Sequence, residues 1–186
     1  MRVIGGEFRS RRLVSAPGLD TRPTPDRLRE SLFNILAPRI DGAVFIDLYA
    51  GTGAVGIEAL SRGASKAIFV ERGRAALEAL RANIRSLGLG AHAEIRQGKV
   101  TAMIGHVIEA GAIVFLDPPY EMEQEYDMAL EKLAVNAPGL VIAQHPSKLV
   151  LKEGYGMLRR TRILKQGENA LSFYEPATAG SSTETL

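Results

Sequence analysis

Between residues 43 and 143 the chain alternates short apolar runs with amphipathic stretches of helical period, and this alternation constrains the fold more than any other feature. The pattern predicts an α/β fold in which a mainly parallel sheet carries helices on both faces. Strands are predicted over 43–49, 66–71, 93–96, 113–117 and 139–143, and helices over 54–62, 74–87, 100–108 and 126–135.

The two ends of the chain depart from this alternation. Residues 2–4 and 11–14 favour two short extended pieces, followed by a helix that starts near Pro25, is capped by Thr24 and ends at Pro38. Residues 157–164 and 170–174 favour an antiparallel hairpin at the sheet edge. We therefore predict an N-terminal extension over 1–40, a main domain over 41–176 and a loose tail over 177–186.

Positive charge is concentrated at the start of the chain. Residues 1–40 contain eight arginines, no lysine and four acidic residues, whereas the whole chain has a net charge of only +2. Arginine binds phosphate through two parallel hydrogen bonds, so this segment predicts a nucleic-acid partner, against the alternative of a solvated basic surface. The candidate phosphate contacts are Arg9, Arg11, Arg12, Arg22, Arg27 and Arg29.

Composition excludes several classes of protein. The chain is 46% hydrophobic and 24% charged, as in globular domains, and no apolar stretch approaches the roughly 18 residues of a membrane span. The first twelve residues lack the apolar core of a secretory signal. There is no cysteine, and the three histidines do not have metal-ligand spacing. We expect a cytoplasmic monomer without a metal.

A glycine loop follows the first strand of the main domain. Gly51, Gly53 and Gly56 match the dinucleotide fingerprint, which keeps a nicotinamide enzyme open as an alternative. However, Asp47 places a carboxylate beside the loop, where it would repel a pyrophosphate and attract an ammonium group. Glu71 ends the next strand, the position from which a carboxylate binds ribose hydroxyls. A ligand with a ribose, a cationic amino-acid part and no phosphate is S-adenosylmethionine, and its predicted site comprises Asp47, Tyr49, Ala50, Gly51, Gly53, Glu71, Arg72 and Asp117.

The most apolar strand leads into the motif Asp117-Pro118-Pro119-Tyr120. An aromatic amine is a poor nucleophile because its lone pair is delocalised into the base. Two acceptors, the Asp117 carboxylate and the Pro118 carbonyl, would grip the amine hydrogens and favour a pyramidal nitrogen. Tyr120 would stack on a base drawn out of its helix. The motif therefore predicts methyl transfer to an exocyclic amine, with all four residues at the catalytic centre.

DLYAGTG together with DPPY resembles the class I S-adenosylmethionine-dependent N-methyltransferases. The stretches VIGGEFRSRRL, TRPTPDRLRESLFNIL, GIEALSRGASKAIFVER and ENALSFYE are similar to one branch, the bacterial small-subunit (16S) rRNA guanine-N2 methyltransferases, over residues 1 to about 175. The resemblance implies a Rossmann-like seven-stranded sheet with the last strand antiparallel and a small N-terminal β-hairpin and helix extension that holds RNA. It also implies transfer to the N2 amine of a guanine in 16S rRNA, and both naked rRNA and an assembling 30S particle stay open as the substrate.

The chain departs from the family pattern at two strand ends. The resemblance adds Gly98 and Lys99, at the end of the third strand, to the predicted cofactor site; the family has Gly-Asp there, and its aspartate accepts a hydrogen bond from the cofactor's adenine. Lysine has no acceptor, so that contact must come from elsewhere or be lost. The fifth strand ends in Gln144-His145, where an acid is common in relatives.

Three alternatives remain open at this point. Since DPPY suits any exocyclic amine, an adenine-N6 methyltransferase acting on DNA or RNA is the nearest. An NAD(P)-dependent oxidoreductase would use the three glycines. A catalytically silent RNA-binding module is compatible with Lys99.

Overall fold

The computed structural model describes residues 1–15, 24–119 and 122–177. Arg22, Tyr120 and all but the first residue of the predicted tail lie outside these ranges. The helices are α1 Asp26–Ile40, α2 Ala54–Ser61, α3 Arg74–Ser86, α4 Val100–Val107 and α5 Glu123–Val135. The strands are β1 Val44–Leu48, β2 Lys66–Glu71, β3 Ala93–Gln97, β4 Ile113–Leu116, β5 Leu140–Pro146, β6 Gly154–Tyr155, β7 Leu158–Gln166 and β8 Asn169–Pro176.

All eight strands form one sheet in the order β3-β2-β1-β4-β5-β8-β7-β6. The first five strands are parallel, and β8 inserts antiparallel between β5 and β7. This confirms the expected Rossmann-like sheet with an antiparallel last strand. The one addition is β6, whose two residues pair with the start of β7 and are too few to give a periodic sequence pattern.

Helices cover both faces of the sheet, as strand–helix alternation predicts. Helices α1, α2 and α3 pack on one face against strand residues that include Phe45, Phe69 and Phe115. Helices α4 and α5 pack on the other face against the alternate residues of the same strands, such as Ile46 and Val114. Successive residues of a strand point to opposite faces of the sheet. Counting along the strand in steps of two therefore shows whether a residue at its end faces α1, α2 and α3 or faces α4 and α5.

The N-terminal extension shares the core of the sheet. Residues 2 and 12 form an antiparallel bridge, so the first 15 residues make a small hairpin whose Val3 and Leu13 are buried. The buried face of α1 supplies Leu28, Leu32 and Phe33 to the same core. The hairpin is therefore docked against the sheet domain.

Helix α1 differs from its prediction at both ends. It runs through Pro38 to Ile40, because a proline near the end of a helix removes only one of the last backbone hydrogen bonds. At its start the N-cap residue is Pro25, and Thr24 makes no capping bond. The Thr24 hydroxyl instead donates to the buried side chain of Gln144 at 3.1 Å, which ties the start of α1 to the end of β5.

Candidate active site

Three carboxylates lie at the carboxyl ends of the adjacent strands β2, β1 and β4. Asp47 pairs with Phe69 on one side and Phe115 on the other, and Glu71 and Asp117 follow those two residues by two positions. All three acids are thus in positions that point to the same face of the sheet, the face covered by α1, α2 and α3. Ligands of open α/β sheets bind at this edge, so the sequence prediction that these acids form one site is consistent with the topology.

Three positions in and after the loop between β1 and α2 are glycines for different structural reasons. Gly51 and Gly53 have positive φ angles of 57° and 83°. A Cβ at Gly53 would lie 2.3 Å from Leu80, and one at Gly56 would lie 2.3 Å from Phe69, so these two glycines allow close helix packing. A Cβ at Gly51 would meet no atom within 4 Å. The loop therefore presents open space at Gly51, where a ligand can approach the backbone.

The acids at this edge differ in what they bind. Asp47 is buried and accepts a hydrogen bond from the Gly56 amide at 2.9 Å, which fixes the start of α2. Glu71 accepts from the Gly51 amide at 2.8 Å through one oxygen and from the amides of Arg72 and Gly73 through the other. A carboxylate offers about four acceptor positions, so Glu71 keeps one free for a ribose hydroxyl.

The electrostatics of the site favour a cationic ligand. Burial raises the pKa of Asp47 to about 7, although the Gly56 amide opposes the shift and the charge of Glu71 adds to it. Burial, and then the charge of Asp47, raises the pKa of Asp117 to about 8. Two neighbouring acids whose ionised forms are disfavoured in this way gain from a positive group placed between them. A sulfonium or ammonium centre fits this site, whereas a pyrophosphate does not.

The Asp-Pro-Pro motif continues directly from β4. Asp117 is partly buried, Pro118 is buried and Pro119 is exposed. The Pro118 carbonyl receives one long contact of 3.5 Å from the hydroxyl of buried Tyr126 on α5, which leaves it able to accept a second hydrogen bond. Tyr120, predicted to stack on the base, lies outside the described residues.

Three further predicted cofactor residues flank the glycine loop. Tyr49 has a positive φ of 63°, and its hydroxyl donates to Glu125 at 2.6 Å, which links the loop to the first turn of α5. Ala50 is buried and its amide donates to Val70. The Arg72 side chain is exposed.

Gly98 and Lys99, where the chain departs from the family pattern, directly follow β3 at the carboxyl edge of the sheet. The Gly98 amide donates to the Glu71 carbonyl at 3.0 Å, which joins the ends of β2 and β3. Lys99 is the N-cap residue of α4, makes no capping bond and has an exposed side chain. The position is thus close to Glu71, but its cation supplies no acceptor for an adenine amino group.

The predicted phosphate contacts divide into two groups. Arg9, Arg11, Arg12 and Arg27 are exposed, as a contact to RNA requires. Arg29 is fully buried, with its guanidinium donating to the Arg2 carbonyl at 2.6 Å and to Asp26 at 3.1 Å. The prediction for Arg29 is wrong, because a helical stripe places this residue inward, toward a buried acid. Arg22 lies outside the described residues.

Three buried polar side chains have partners that sequence reasoning did not predict. Glu58 lies 3.7 Å from Arg29 and accepts hydrogen bonds from the amides of Ile4 and Gly5 at 2.8 Å each. Asn83 and Gln144 are also buried and hydrogen-bonded. Each occupies a position that its local pattern assigns to the core, and only the tertiary structure brings its partner to it.

Two kinds of feature are absent from the described residues. No group of three or more acidic or histidine side chains is arranged to hold a metal ion among residues 1–15, 24–119 and 122–177. Over the same ranges, no helix combines the length and the apolar character needed to cross a membrane.

The chain resembles known proteins in both sequence and structure. The family model described as Conserved hypothetical protein 95 matches residues 1–175. The chain is 33% identical over 167 residues to ribosomal RNA small subunit methyltransferase D of Haemophilus influenzae, and the match covers 86% of each chain. It is 43% identical over 122 residues to the protein of the same name from Escherichia coli, covering 64% of this chain and 60% of that protein.

Solved structures agree with the sequence matches. The yhhF protein of Escherichia coli superposes with a TM-score of 0.80 at 33% identity, covering 95% of this chain and 97% of that one. A hypothetical protein of Thermus thermophilus gives a TM-score of 0.79 at 33% identity, covering 94% and 99%. The chain is similar to the ribosomal RNA small subunit methyltransferases D over most of its length. It belongs to the Conserved hypothetical protein 95 family.

Proposed function

We propose that this chain transfers a methyl group from S-adenosylmethionine to the exocyclic N2 amine of a guanine in 16S rRNA. The observation that carries the proposal is the placement of Asp117 and the Pro118 carbonyl beside a loop and two further acids that suit a cationic nucleoside. Methylation of rRNA accords with the names of the relatives. The choice of guanine N2 rests on the sequence resemblance.

The cofactor is S-adenosylmethionine, and the residues at the sheet edge fit it. Open space at Gly51 lets the cofactor approach the backbone of the glycine loop, and Glu71 can accept a further hydrogen bond from a ribose hydroxyl. Asp47 lies beside the loop that would receive the amino-acid part. When bound, this cofactor supplies an electrophilic methyl group on a sulfonium centre. Its positive charge compensates the carboxylates that burial otherwise disfavours.

The catalytic residues act on the amine. The Asp117 carboxylate and the Pro118 carbonyl accept the two N–H hydrogens, which directs the nitrogen lone pair toward the methyl group. Asp117 must be ionised to accept in this way, and the nearby cation favours that state. A strong base is not required, because the amine proton becomes acidic as the new C–N bond forms and the S–C bond breaks, and the Asp117 carboxylate that accepts this N–H would take the proton. Tyr120 stacks on the base and holds it outside its helix.

RNA contact is assigned to the exposed arginines of the extension. Arg9, Arg11 and Arg12 lie on the docked hairpin, and Arg27 lies in the first turn of α1. The Thr24–Gln144 bond places the start of α1 next to the catalytic strand, since Gln144 follows Ala143, the partner of Leu116. The start of α1, which carries Arg27, thus lies beside the catalytic strand.

Labelled methyl transfer to synthetic RNA acceptors tests the proposal. The proposal predicts incorporation into adenine-free RNA and none into guanine-free RNA. The opposite result would make the chain an adenine-N6 methyltransferase. A parallel titration with S-adenosylhomocysteine and NADH should show binding of the first only, and tight NADH binding would contradict the cofactor assignment.

A further inference from the structure

Asn83 is a fully buried amide whose three hydrogen bonds join two separate parts of the chain. Its Oδ1 accepts from the Val14 amide at 2.7 Å, and its Nδ2 donates to the Val14 carbonyl at 3.1 Å. The same Nδ2 donates to the Thr52 carbonyl at 3.0 Å. Both amide hydrogens are therefore used, one toward each partner.

The two partners belong to the two proposed binding regions. Thr52 lies between Gly51 and Gly53, so its carbonyl is part of the glycine loop at the cofactor site. Val14 belongs to the second arm of the N-terminal hairpin, shortly after the exposed Arg11 and Arg12. A single rigid amide plane thus connects the cofactor loop to the arm that is proposed to bind RNA.

The remaining anchors of the hairpin do not touch the loop. Glu58 accepts from the Ile4 and Gly5 amides, and Ser61 donates to the Gly5 carbonyl at 2.6 Å while its oxygen accepts from the Phe8 amide at 2.9 Å. These contacts hold the first arm and the turn of the hairpin to α2. Among the described residues, Asn83 is the side chain that hydrogen-bonds to both the hairpin and the glycine loop.

From this geometry we propose that Asn83 is a positioning residue that couples RNA contact at the hairpin to cofactor binding at the glycine loop. The proposal rests on the proposed function of the two regions. A buried amide that loses one partner leaves a polar atom unsatisfied, so a shift of Val14 changes the free energy of the Thr52 contact. Coupling of this kind is reciprocal, and bound cofactor must therefore favour the hairpin position that binds RNA.

Val14 offers a matched pair of variants that leave Asn83 and the loop unchanged. Its side chain is 54% exposed, so Val14→Thr keeps the backbone N–H and the packing, whereas Val14→Pro removes the N–H that Asn83 binds. We expect Val14→Pro to weaken S-adenosylhomocysteine binding by about five-fold, the size of one net hydrogen bond, and Val14→Thr to leave it unchanged. Equal affinities in the two variants would overturn the proposal.

The second part of the experiment measures RNA binding, with a 16S rRNA transcript as the probe. The wild-type protein and Val14→Thr should bind it several-fold more tightly with saturating S-adenosylhomocysteine than without, and in Asn83→Ala and Val14→Pro this ratio should fall to about one. A purely structural role would lower the Tm of the variants but leave the ratio intact, which would refute the coupling. If the wild-type protein binds the transcript in neither condition, the proposed function fails. The S-adenosylhomocysteine affinities of the two Val14 variants then still show whether the hairpin affects the glycine loop through Asn83.

Discussion

Asp117 lies just beyond the end of β4, next to the parallel strand β1 that carries Asp47, and burial and then the carboxylate of Asp47 raise the pKa of Asp117. Burial is the larger cause of the shift and also raises the pKa of Asp47 itself. The cofactor-free protein therefore holds two acids whose ionised forms are disfavoured in the fold. Such a site lowers the stability of the free protein and is stabilised when a cation binds.

Replacing Asp117 by asparagine should stabilise the cofactor-free protein at alkaline pH. The folded carboxyl has a pKa of about 8 against 3.8 for an ordinary aspartate, so the stabilising effect of its proton is lost as the pH rises between these values. Asparagine removes the disfavoured charge, and we expect the Tm at pH 8.5 to rise by about 3 °C or more. Thermal unfolding at pH 4 and pH 8.5 checks this.

The control for this prediction is Glu30→Gln, which neutralises an exposed acid on α1. It should shift the Tm by less than about 1 °C, as expected of a solvated group. A stabilisation by Asp117→Asn of the same size at both pH values would show that the effect is not linked to ionisation.

Cofactor and product should respond differently to pH. The sulfonium of S-adenosylmethionine favours the ionised forms of Asp47 and Asp117, whereas S-adenosylhomocysteine lacks that charge. We expect the ratio of their affinities to shift toward S-adenosylmethionine as the pH rises from 6 to 8.5. Calorimetry in buffers of different ionisation enthalpy should also show proton release on S-adenosylmethionine binding. A ratio that does not change with pH would contradict the assigned pKa directions.

The fold was predictable because its pattern is local. Strand β2 was predicted with the bounds it has, and most other elements of the main domain lie within one to three residues of their predictions. The passage of α1 through Pro38 follows from the tolerance of a helix end for proline, whereas strand β6 depends on its pairing with β7, which the local pattern could not show. The same holds for Thr24, which was predicted to cap α1 but bonds to a side chain 120 residues away.

Glu58 should be essential for the docking of the hairpin. Its side chain and that of Arg29 are both fully buried, and it also accepts from Arg62 at 2.8 Å. Glu58→Gln leaves the buried Arg29 guanidinium with only Asp26 as a counter-ion, and breaking a buried ion pair costs about 3 kcal/mol or more. We expect the Tm to fall by roughly 10 °C.

The matched control is Glu78→Gln, which breaks the exposed ion pair between Arg74 and Glu78. A surface pair of this kind contributes less than about 1 kcal/mol, so the Tm should fall by no more than about 3 °C. Equal losses in the two variants would contradict the role of Glu58 as a buried anchor.

The exposed arginines of the hairpin should carry salt-sensitive RNA binding. Reversal of Arg9, Arg11 and Arg12 to glutamate removes three candidate phosphate contacts. The slope of log affinity against log salt should then decrease in magnitude by about two units or more. Lys132→Glu, an exposed reversal on α5, is the control and should change the slope little. Unchanged RNA affinity of the triple variant at low salt would remove the hairpin from the RNA interface.

The candidate site was predictable to the extent that its residues lie in short motifs. Asp47, Gly51 and Asp117 could be identified because each lies at or just beyond the end of a strand. Arg29 was misassigned because sequence charge does not show burial. Asn83 could not be found, since its partners at residues 14 and 52 are 69 and 31 positions away.

The most direct test of the account is methyl transfer to small ribosomal subunits that lack the modification, followed by identification of the methylated nucleoside. The wild-type protein should produce N2-methylguanosine in 16S rRNA. Asp117→Asn should bind S-adenosylhomocysteine and RNA but transfer no methyl group. Methylation of adenine, or undiminished transfer by Asp117→Asn, would contradict the assignment of Asp117 as the residue that holds the acceptor amine.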